Sequence, residues 1–461
     1  MKLAHCRELS VPFDFIHVNL SCIVPEYSFV RAINVPFHKV KVSRSAFSFR
    51  NVDAVSNDTY GFQNLNNEVY VGQILVAGHN FTVQLDTGSS DLWIDPSDTN
   101  VVLQGTKDTG VTSTICYFDT TCASGSVLIS DVTFGNLTIP GQAFINAVGS
   151  NATYGNMTGL LGLGSTSSYA SAIIQSLDGD NDVNSETFLQ NLFNVYPDTP
   201  NFISFLLSRS DFGVTDGGTF TIGELAAGMQ AVQQTPQLPV LSENGWVTAA
   251  AAIIVNGREF VSQSSTPSPA LVGDQLLTSL DTGTSRAQAP QPLVDAIYQN
   301  LPDAVYDDGS YTMPCDSKIN VSIIFGEQTF PIHPIDIVVV PDPGENARTD
   351  ANNTLCIGAF SYLESEDLDI LLGDTFLRNA YVVYNFGNWT RADDGLPSMQ
   401  IMSTTNETQA WAEFDSLNSA RLAARQQQQK SQKTSAASRH PYPTLQTLFI
   451  VFCISCLIYL L

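Results

Sequence analysis

Basic residues are scarce in this chain. Twenty Lys and Arg stand against 45 Asp and Glu over 461 residues, a formal net charge of -25. That balance argues against nucleic acid or anionic lipid headgroups as natural partners, because the summed field repels both. It suits an acidic medium, where protonation of surface carboxylates relieves the self-repulsion. Long apolar runs are missing too, except at the extreme C-terminus. No C-x-x-C or H-E-x-x-H accompanies the middle cysteines Cys116, Cys122, Cys315 and Cys356. A metal or thiol mechanism therefore has no support, and no metal or cofactor is expected.

What is present begins with length. A chain of 461 residues exceeds the usual single domain, so two comparable lobes, or one domain with appended segments, are the starting expectations. Of eight cysteines, Cys6 and Cys22 lie early and Cys453 and Cys456 in the hydrophobic tail. The other four permit three connectivities. Cys116 with Cys122 closes a small loop and Cys315 with Cys356 one of about forty residues, stabilising by roughly 2 and 4 kcal/mol on the chain-entropy model. Ten N-x-S/T sequons, at Asn19, Asn57, Asn80, Asn136, Asn151, Asn156, Asn320, Asn352, Asn388 and Asn406, include some chance matches, yet with the cysteines they favour secretion.

From Glu68 to about Met402 the chain runs in short Val/Ile/Thr/Phe alternations punctuated by Gly, Asn and Asp-Gly, as in VYVGQILVAGHNFTVQLDTG. This is the grammar of strands and turns. Helical patterning is confined to Ser185–Phe193 and Pro292–Leu301, where Leu293, Val294 and Ile297 share a face. An all-β architecture with a few short helices is expected.

One internal repeat stands out. VQLDTGSSDLW holds Asp86-Thr87-Gly88-Ser89-Ser90, and SLDTGTSRAQA holds Asp281-Thr282-Gly283-Thr284-Ser285, 195 residues later. Each Asp follows a strand-like run, and each Gly permits a tight turn. A lone D-T-G is weak, since these are ordinary turn residues. Two copies with matching flanks, one lobe apart, point to a carboxylate pair. Carboxylates a few ångströms apart do not both ionise cheaply, so they hold one proton between them and titrate as a unit. One then serves as base toward a water while the other donates to a carbonyl oxygen. Gly88 and Gly283 let backbone amides approach the carboxylates, Ser89 and Thr284 orient them, and Thr87 and Thr282 are placed to bond across the lobe junction.

These motifs resemble those of the pepsin-like aspartic protease family, for which such a shared-proton dyad is the standard example. The resemblance extends over about Glu68–Met402. Leu160-Leu161-Gly162 and Leu371-Leu372-Gly373 are similar to the family's strands that cross behind each catalytic loop. Trp93, seven residues after Asp86, matches the tryptophan that supports the family's flap tyrosine. Cys315 and Cys356 sit where its C-terminal-lobe disulfide is expected, and GTFTIGE at Gly218–Glu224 resembles a family strand. The resemblance implies a bilobal pepsin-like acid protease fold, with an N-terminal lobe over residues 65–200 and a C-terminal lobe over residues 201–402. One departure concerns the flap. Relatives carry Tyr-Gly-x-Gly, whereas the counterpart here is Tyr117 in CYFDTTCASGS, without those two glycines. Tyr117 is either the flap tyrosine or an ordinary strand tyrosine.

The flanks read differently. Residues 1–64 form a leader in which the best secretory signal, Val11–Val24, is interrupted by Asp14, His17 and Asn19; the expectation is that the true start differs from Met1. Arg31–Arg50 is locally basic. It reads as a propeptide remnant that pairs with active-site carboxylates until they protonate, or as an unstructured leader. Residues 403–447 are polar and Gln-rich, a stalk and spacer. Residues 448–461, LFIVFCISCLIYLL, are uncharged and span about 21 Å as a helix, short of the roughly 30 Å hydrocarbon core. With Ser435, Ala436 and Ala437 and a polar spacer upstream, the pattern favours a glycosylphosphatidylinositol signal, attached at Ser435, over a tail anchor. The expected protein is a monomeric aspartic endopeptidase acting on polypeptides at acidic pH, secreted and held at a membrane or cell wall. The alternatives are a catalytically inactive binding protein on the same scaffold and a structural surface glycoprotein.

Overall fold

The computed structural model describes residues 59–438 apart from positions 61–62, 66–68, 98–100, 118–119, 178–182, 210–213, 261–263, 265, 267, 269, 308, 342–348, 351–352, 364 and 366. Residues 1–58 of the leader, the tail at 448–461, the four terminal cysteines and the sequons at Asn19, Asn57 and Asn352 lie outside the described residues.

The period-2 patterning folds as strands. Strands β1 (Val69–Val76) and β2 (His79–Asp86) form a hairpin. Its two-residue turn, Ala77-Gly78, has φ of 50° and 80°, the pairing that matches the twist of the flanking strands. Strands β3 (Leu92–Ile94), β4 (Lys107–Cys116), β5 (Cys122–Phe134), β6 (Leu137–Asn146) and β7 (Gly159–Gly162) complete most of a nine-stranded sheet among the described residues. Helices α1 (Ala172–Ser176) and α2 (Phe188–Val195) follow. Helix α2 starts later than the sequence pattern suggests because the Thr187 hydroxyl caps it, accepting from the Gln190 backbone amide.

Strand β8 (Phe202–Leu207) begins the second half. Strands β9 (Leu276–Leu280) and β10 (Ala287–Ala289), helix α3 (Gln291–Tyr298) and strand β11 (Ile370–Leu372) surround the second D-T-G, and β12 (Ala380–Asn385) returns to pair with β8. Helix α3 ends short of the expected Leu301, since Pro302 disfavours helical backbone at the residue before it. The β8/β12 pair is the middle of a six-stranded sheet whose strands come from the second half except for one, Thr59–Tyr60. The sequence boundary at residues 200/201 falls just before strand β8 of this sheet, and Val214–Asp216, beyond it, pairs back onto Gln63–Leu65. Trp246, 1% exposed, packs under the junction against Tyr384, Phe386 and Trp389, with centroids 4.8 to 5.1 Å away.

The segment after Ser403, expected as a stalk, begins as something firmer. Glu407–Ser438 is a 32-residue helix, α4, started by Asn406, whose Oδ1 accepts from the Gln409 amide at 3.0 Å. Ala410, Phe414, Asn418, Arg421 and Arg425 are buried against the C-terminal half. Arg421 Nη1 donates to the carbonyls of Ile335 and Val338 at 2.9 and 2.7 Å, and Arg425 donates to that of Pro341. Lys318 Nζ stands 4.6 Å from the Trp411 ring centroid. Among the described residues no helix is long and apolar enough to cross a membrane.

Candidate active site

The two D-T-G turns are built alike. Strand β2 runs parallel to β7, with Asp86 beside Gly162, while β3 pairs antiparallel with the other edge of β7. In the second half β9 runs parallel to β11, with Leu280 beside Leu372, and β10 takes the antiparallel edge. Each Leu-Leu-Gly strand thus lies between the two arms of a D-T-G loop. Its glycine is required by space. A Cβ on Gly162 would lie 2.4 Å from the Ser90 carbonyl carbon, and one on Gly373 only 1.9 Å from the Thr284 carbonyl oxygen.

Asp86 and Asp281 come together at the junction, 4% and 8% exposed. Asp86 accepts from the Gly88 amide at 2.8 Å and the Ser89 hydroxyl at 2.5 Å. Asp281 accepts from the Gly283 amide and the Thr284 hydroxyl, both at 2.7 Å. The loops are locked by a reciprocal exchange: the Thr87 amide donates to Thr282 Oγ1 and the Thr282 amide to Thr87 Oγ1, each at 3.0 Å. The hydroxyls continue outward, Thr87 to the Leu280 carbonyl and Thr282 to that of Leu85.

The D-T-G glycines serve a different end from the tight turn that their residue type suggests. Neither is at positive φ. Instead each faces the opposite carboxylate: a Cβ on Gly88 would lie 2.6 Å from the Asp281 carboxylate atoms, and one on Gly283 would lie 2.1 Å from Asp86 Oδ1. Gly283→Ala is therefore expected to lower kcat/KM by about 10²-fold or more, since misplacing catalytic groups by an ångström costs that much. Steady-state kinetics beside a thermal melt, which should move little, check it.

Burial, then the charge of Asp281, raise Asp86 well above its usual carboxylate value; the Ser89 and Gly88 donors offset part of this. Asp86 therefore keeps its proton to a higher pH than an isolated carboxyl group would.

Above the dyad, β4 and β5 form a hairpin whose end residues Cys116 and Cys122 face each other and are disulfide-bonded. The other expected bridge, Cys315–Cys356, is also formed. Tyr117 opens the hairpin tip, and its hydroxyl accepts from Trp93 Nε1 at 2.7 Å. Desolvation, then the charge of Asp86, hold that hydroxyl well above its usual range, so it stays protonated. The structure thus brings Trp93 and Tyr117 to the dyad side of the first lobe.

Several site residues carry no sequence signal of their own. Gln84 Nε2 reaches the Gly283 carbonyl at 2.9 Å, adding a link between the loops. Asp91, in the same D-T-G-S-S-D run, accepts from the Ser171 hydroxyl at 2.5 Å and the Ala172 amide at 2.7 Å, fixing α1 behind the first loop. Ser150 and Asn151 bond the Cys122 backbone. Asn151 drew notice only as a sequon.

A family model described as eukaryotic aspartyl protease matches residues 68–391. An aspartic protease of Phaffia rhodozyma is 27% identical over 342 residues, covering 69% of this chain and 74% of that protein. Rhizopuspepsin-2 of Rhizopus niveus is 28% identical over 339 residues, 68% and 76% of the two chains. A probable aspartic-type endopeptidase CTSD of Arthroderma benhamiae is 25% identical over 358 residues, 73% of this chain and 61% of that one.

Proposed function

The chain belongs to the eukaryotic aspartyl protease family and is an aspartic-type endopeptidase, and we propose that Asp86 and Asp281 are the pair that cleaves the peptide bond. The observation that carries this reading is the mutual contact of the two loops, in which each glycine abuts the opposite carboxylate. A water held between the two carboxylates loses a proton to the ionised one as it attacks the carbonyl carbon. The protonated one donates to the carbonyl oxygen. In each carboxylate the glycine amide of Gly88 or Gly283 holds one oxygen and the hydroxyl of Ser89 or Thr284 holds the other, so both carboxyl groups stay aligned as the proton moves. Tyr117, held by Trp93, acts as the flap tyrosine that closes over an extended polypeptide.

An inactive binding protein on the same scaffold is disfavoured, because every donor to the dyad is retained. The test is cleavage of a peptide library between pH 3 and 7, with and without a statine-type transition-state mimic. Activity is expected in acid, blocked by the mimic, and lost as the pH rises and the shared proton leaves. A neutral optimum indifferent to the mimic overturns the reading.

The chain's secretion, glycosylation and surface attachment belong to the same proposal. Asn80, Asn136, Asn151, Asn388 and Asn406 are exposed, which suits glycosylation, whereas Asn156 and Asn320 are half-buried. The Asn320 Nδ2 that a glycan needs donates instead to Glu407 at 2.5 Å. A lipid anchor replaces the hydrophobic tail, with Ser435, which falls near the end of α4, as the attachment residue. Phosphatidylinositol-specific phospholipase is expected to release the protein from membranes, and recovery of a peptide containing Cys453 and Cys456 from mature protein overturns the anchor.

A further inference from the structure

The hairpin over the dyad turns through residues 117–121 without a glycine. Three features take over. The first is the Cys116–Cys122 bridge, which joins residues that are already cross-strand partners and confines the turn between them. The second is a pair of turn bonds: the Tyr117 amide donates to the Thr121 carbonyl at 2.8 Å and the Thr120 amide to that of Tyr117 at 2.9 Å. The third is a clasp from a neighbouring loop. The Cys122 amide donates to Asn151 Oδ1 at 2.8 Å, and the Ser150 hydroxyl to the Cys122 carbonyl at 3.0 Å. Within this turn Thr120 sits at φ 65°, a left-handed backbone that a β-branched residue adopts only where its surroundings impose it.

We propose that the Cys116–Cys122 cystine, seated in the Ser150–Asn151 clasp, is the positioning element that holds Tyr117 over the dyad, and that thiol reductants release it. The proposal rests on the catalytic reading above, because a flap matters only over a working dyad. Tyr117 has two constraints to satisfy at once: its backbone belongs to the turn, while its hydroxyl must meet Trp93 at 2.7 Å. A cross-link next to it in sequence removes open-loop conformations in which that second bond is lost.

The two bridges differ in access. Cys116 is exposed and Cys122 half-buried, whereas Cys315 and Cys356 are 6% and 0% exposed. A small dithiol therefore reaches the flap bridge first. Its thiolate attacks one sulfur of the cystine, the protein S–S bond breaks, and the second thiol closes the mixed disulfide. Two electrons pass from the reductant to the cystine. Two protons end on Cys116 and Cys122, and the reductant leaves as its own disulfide.

The experiment uses the full-length enzyme in two arms. In one, Cys116→Ser/Cys122→Ser is compared with wild type. In the other, wild-type enzyme is treated with graded dithiothreitol, returned to assay pH, and its free thiols are mapped by alkylation and mass analysis. KM for peptide substrates is expected to rise about tenfold, with affinity for a statine-type mimic falling in parallel and kcat changing less. In the second arm this change tracks labelling of Cys116 and Cys122, precedes labelling of Cys315 and Cys356, and reverses on reoxidation. KM and mimic affinity within twofold of wild type, in enzyme shown to carry free Cys116 and Cys122, overturn the proposal while leaving the dyad reading intact. If the serine variant does not fold, the reduction arm decides alone. Undiminished activity in Asp86→Asn would instead remove the reading on which the proposal rests.

Discussion

Asp86→Asn or Asp281→Asn is expected to lower kcat/KM by about 10⁴-fold, the upper range for losing a positioned proton-transfer group, with the fold retained. Asparagine fills the same volume but neither takes a proton from water nor shares one with its neighbour. Its amide nitrogen also faces one of the two donors that now meet the carboxylate's two oxygens, the Gly88 amide or Ser89 in the first loop and the Gly283 amide or Thr284 in the second. Stability carries a second, independent signature. Asp86 is raised above its usual value of 3.8, so its contribution is fully present below that value and is lost as pH rises through the raised one. Asp86→Asn should therefore melt higher than wild type near neutrality and gain little in acid. A variant with intact turnover, or with a melting gain confined to acid, contradicts this assignment.

Asp336→Asn is expected to cost about 3–5 kcal/mol of folding stability, the range for removing one partner of a buried ion pair. Asp336 and Arg378 are each 3% exposed at the side chain and meet at 3.0 Å, while Arg209 Nη2 approaches the other carboxylate oxygen at 2.5 Å. Asn379 Nδ2 donates to that oxygen at 3.0 Å. Burial acts to raise the Asp336 carboxyl, but the charges of Arg209 and Arg378 outweigh it and hold it well below the usual carboxylate range. Its stabilisation is then present above the unfolded value of 3.8 and is lost only as pH falls through the depressed one. The penalty should persist at pH 4 as at pH 7, measured by urea unfolding. A penalty that vanishes at pH 4 would show that the pair does not stay ionised in acid.

The two D-T-G loops were legible because they occur twice. Asp86 and Asp281, their hydroxyl partners and the Leu-Leu-Gly strands repeat in both halves, and repetition separates a site from ordinary turn residues. The reason for the glycines was not legible, since residue type suggests turn flexibility and only the assembled loops show a carboxylate where a Cβ would be. Tyr117 lacked its usual glycines, so its sequence left two readings that the Trp93 bond narrows. The docked part of α4 escaped for a different reason. Its buried positions, Ala410, Phe414, Asn418, Arg421 and Arg425, recur at helical spacing, but three of the five are polar. Hydropathy does not register a stripe whose guanidinium groups bond backbone carbonyls.

That helix also sets a direction as it leaves the lobe. From Arg425 to Ser438 its axis runs on for thirteen residues, about 20 Å at 1.5 Å per residue, from a base riveted to the lobe by two arginines. A flexible cord would let its far end wander relative to the lobe. A rod continuous with the lobe transmits heading as well as distance, so its far end at Ser438 keeps a fixed bearing relative to Asp86 and Asp281. Lengthening the rod by two residues would swing that bearing by about 200°, given 3.6 residues per turn, whereas adding a full turn and its remainder would mainly change the reach.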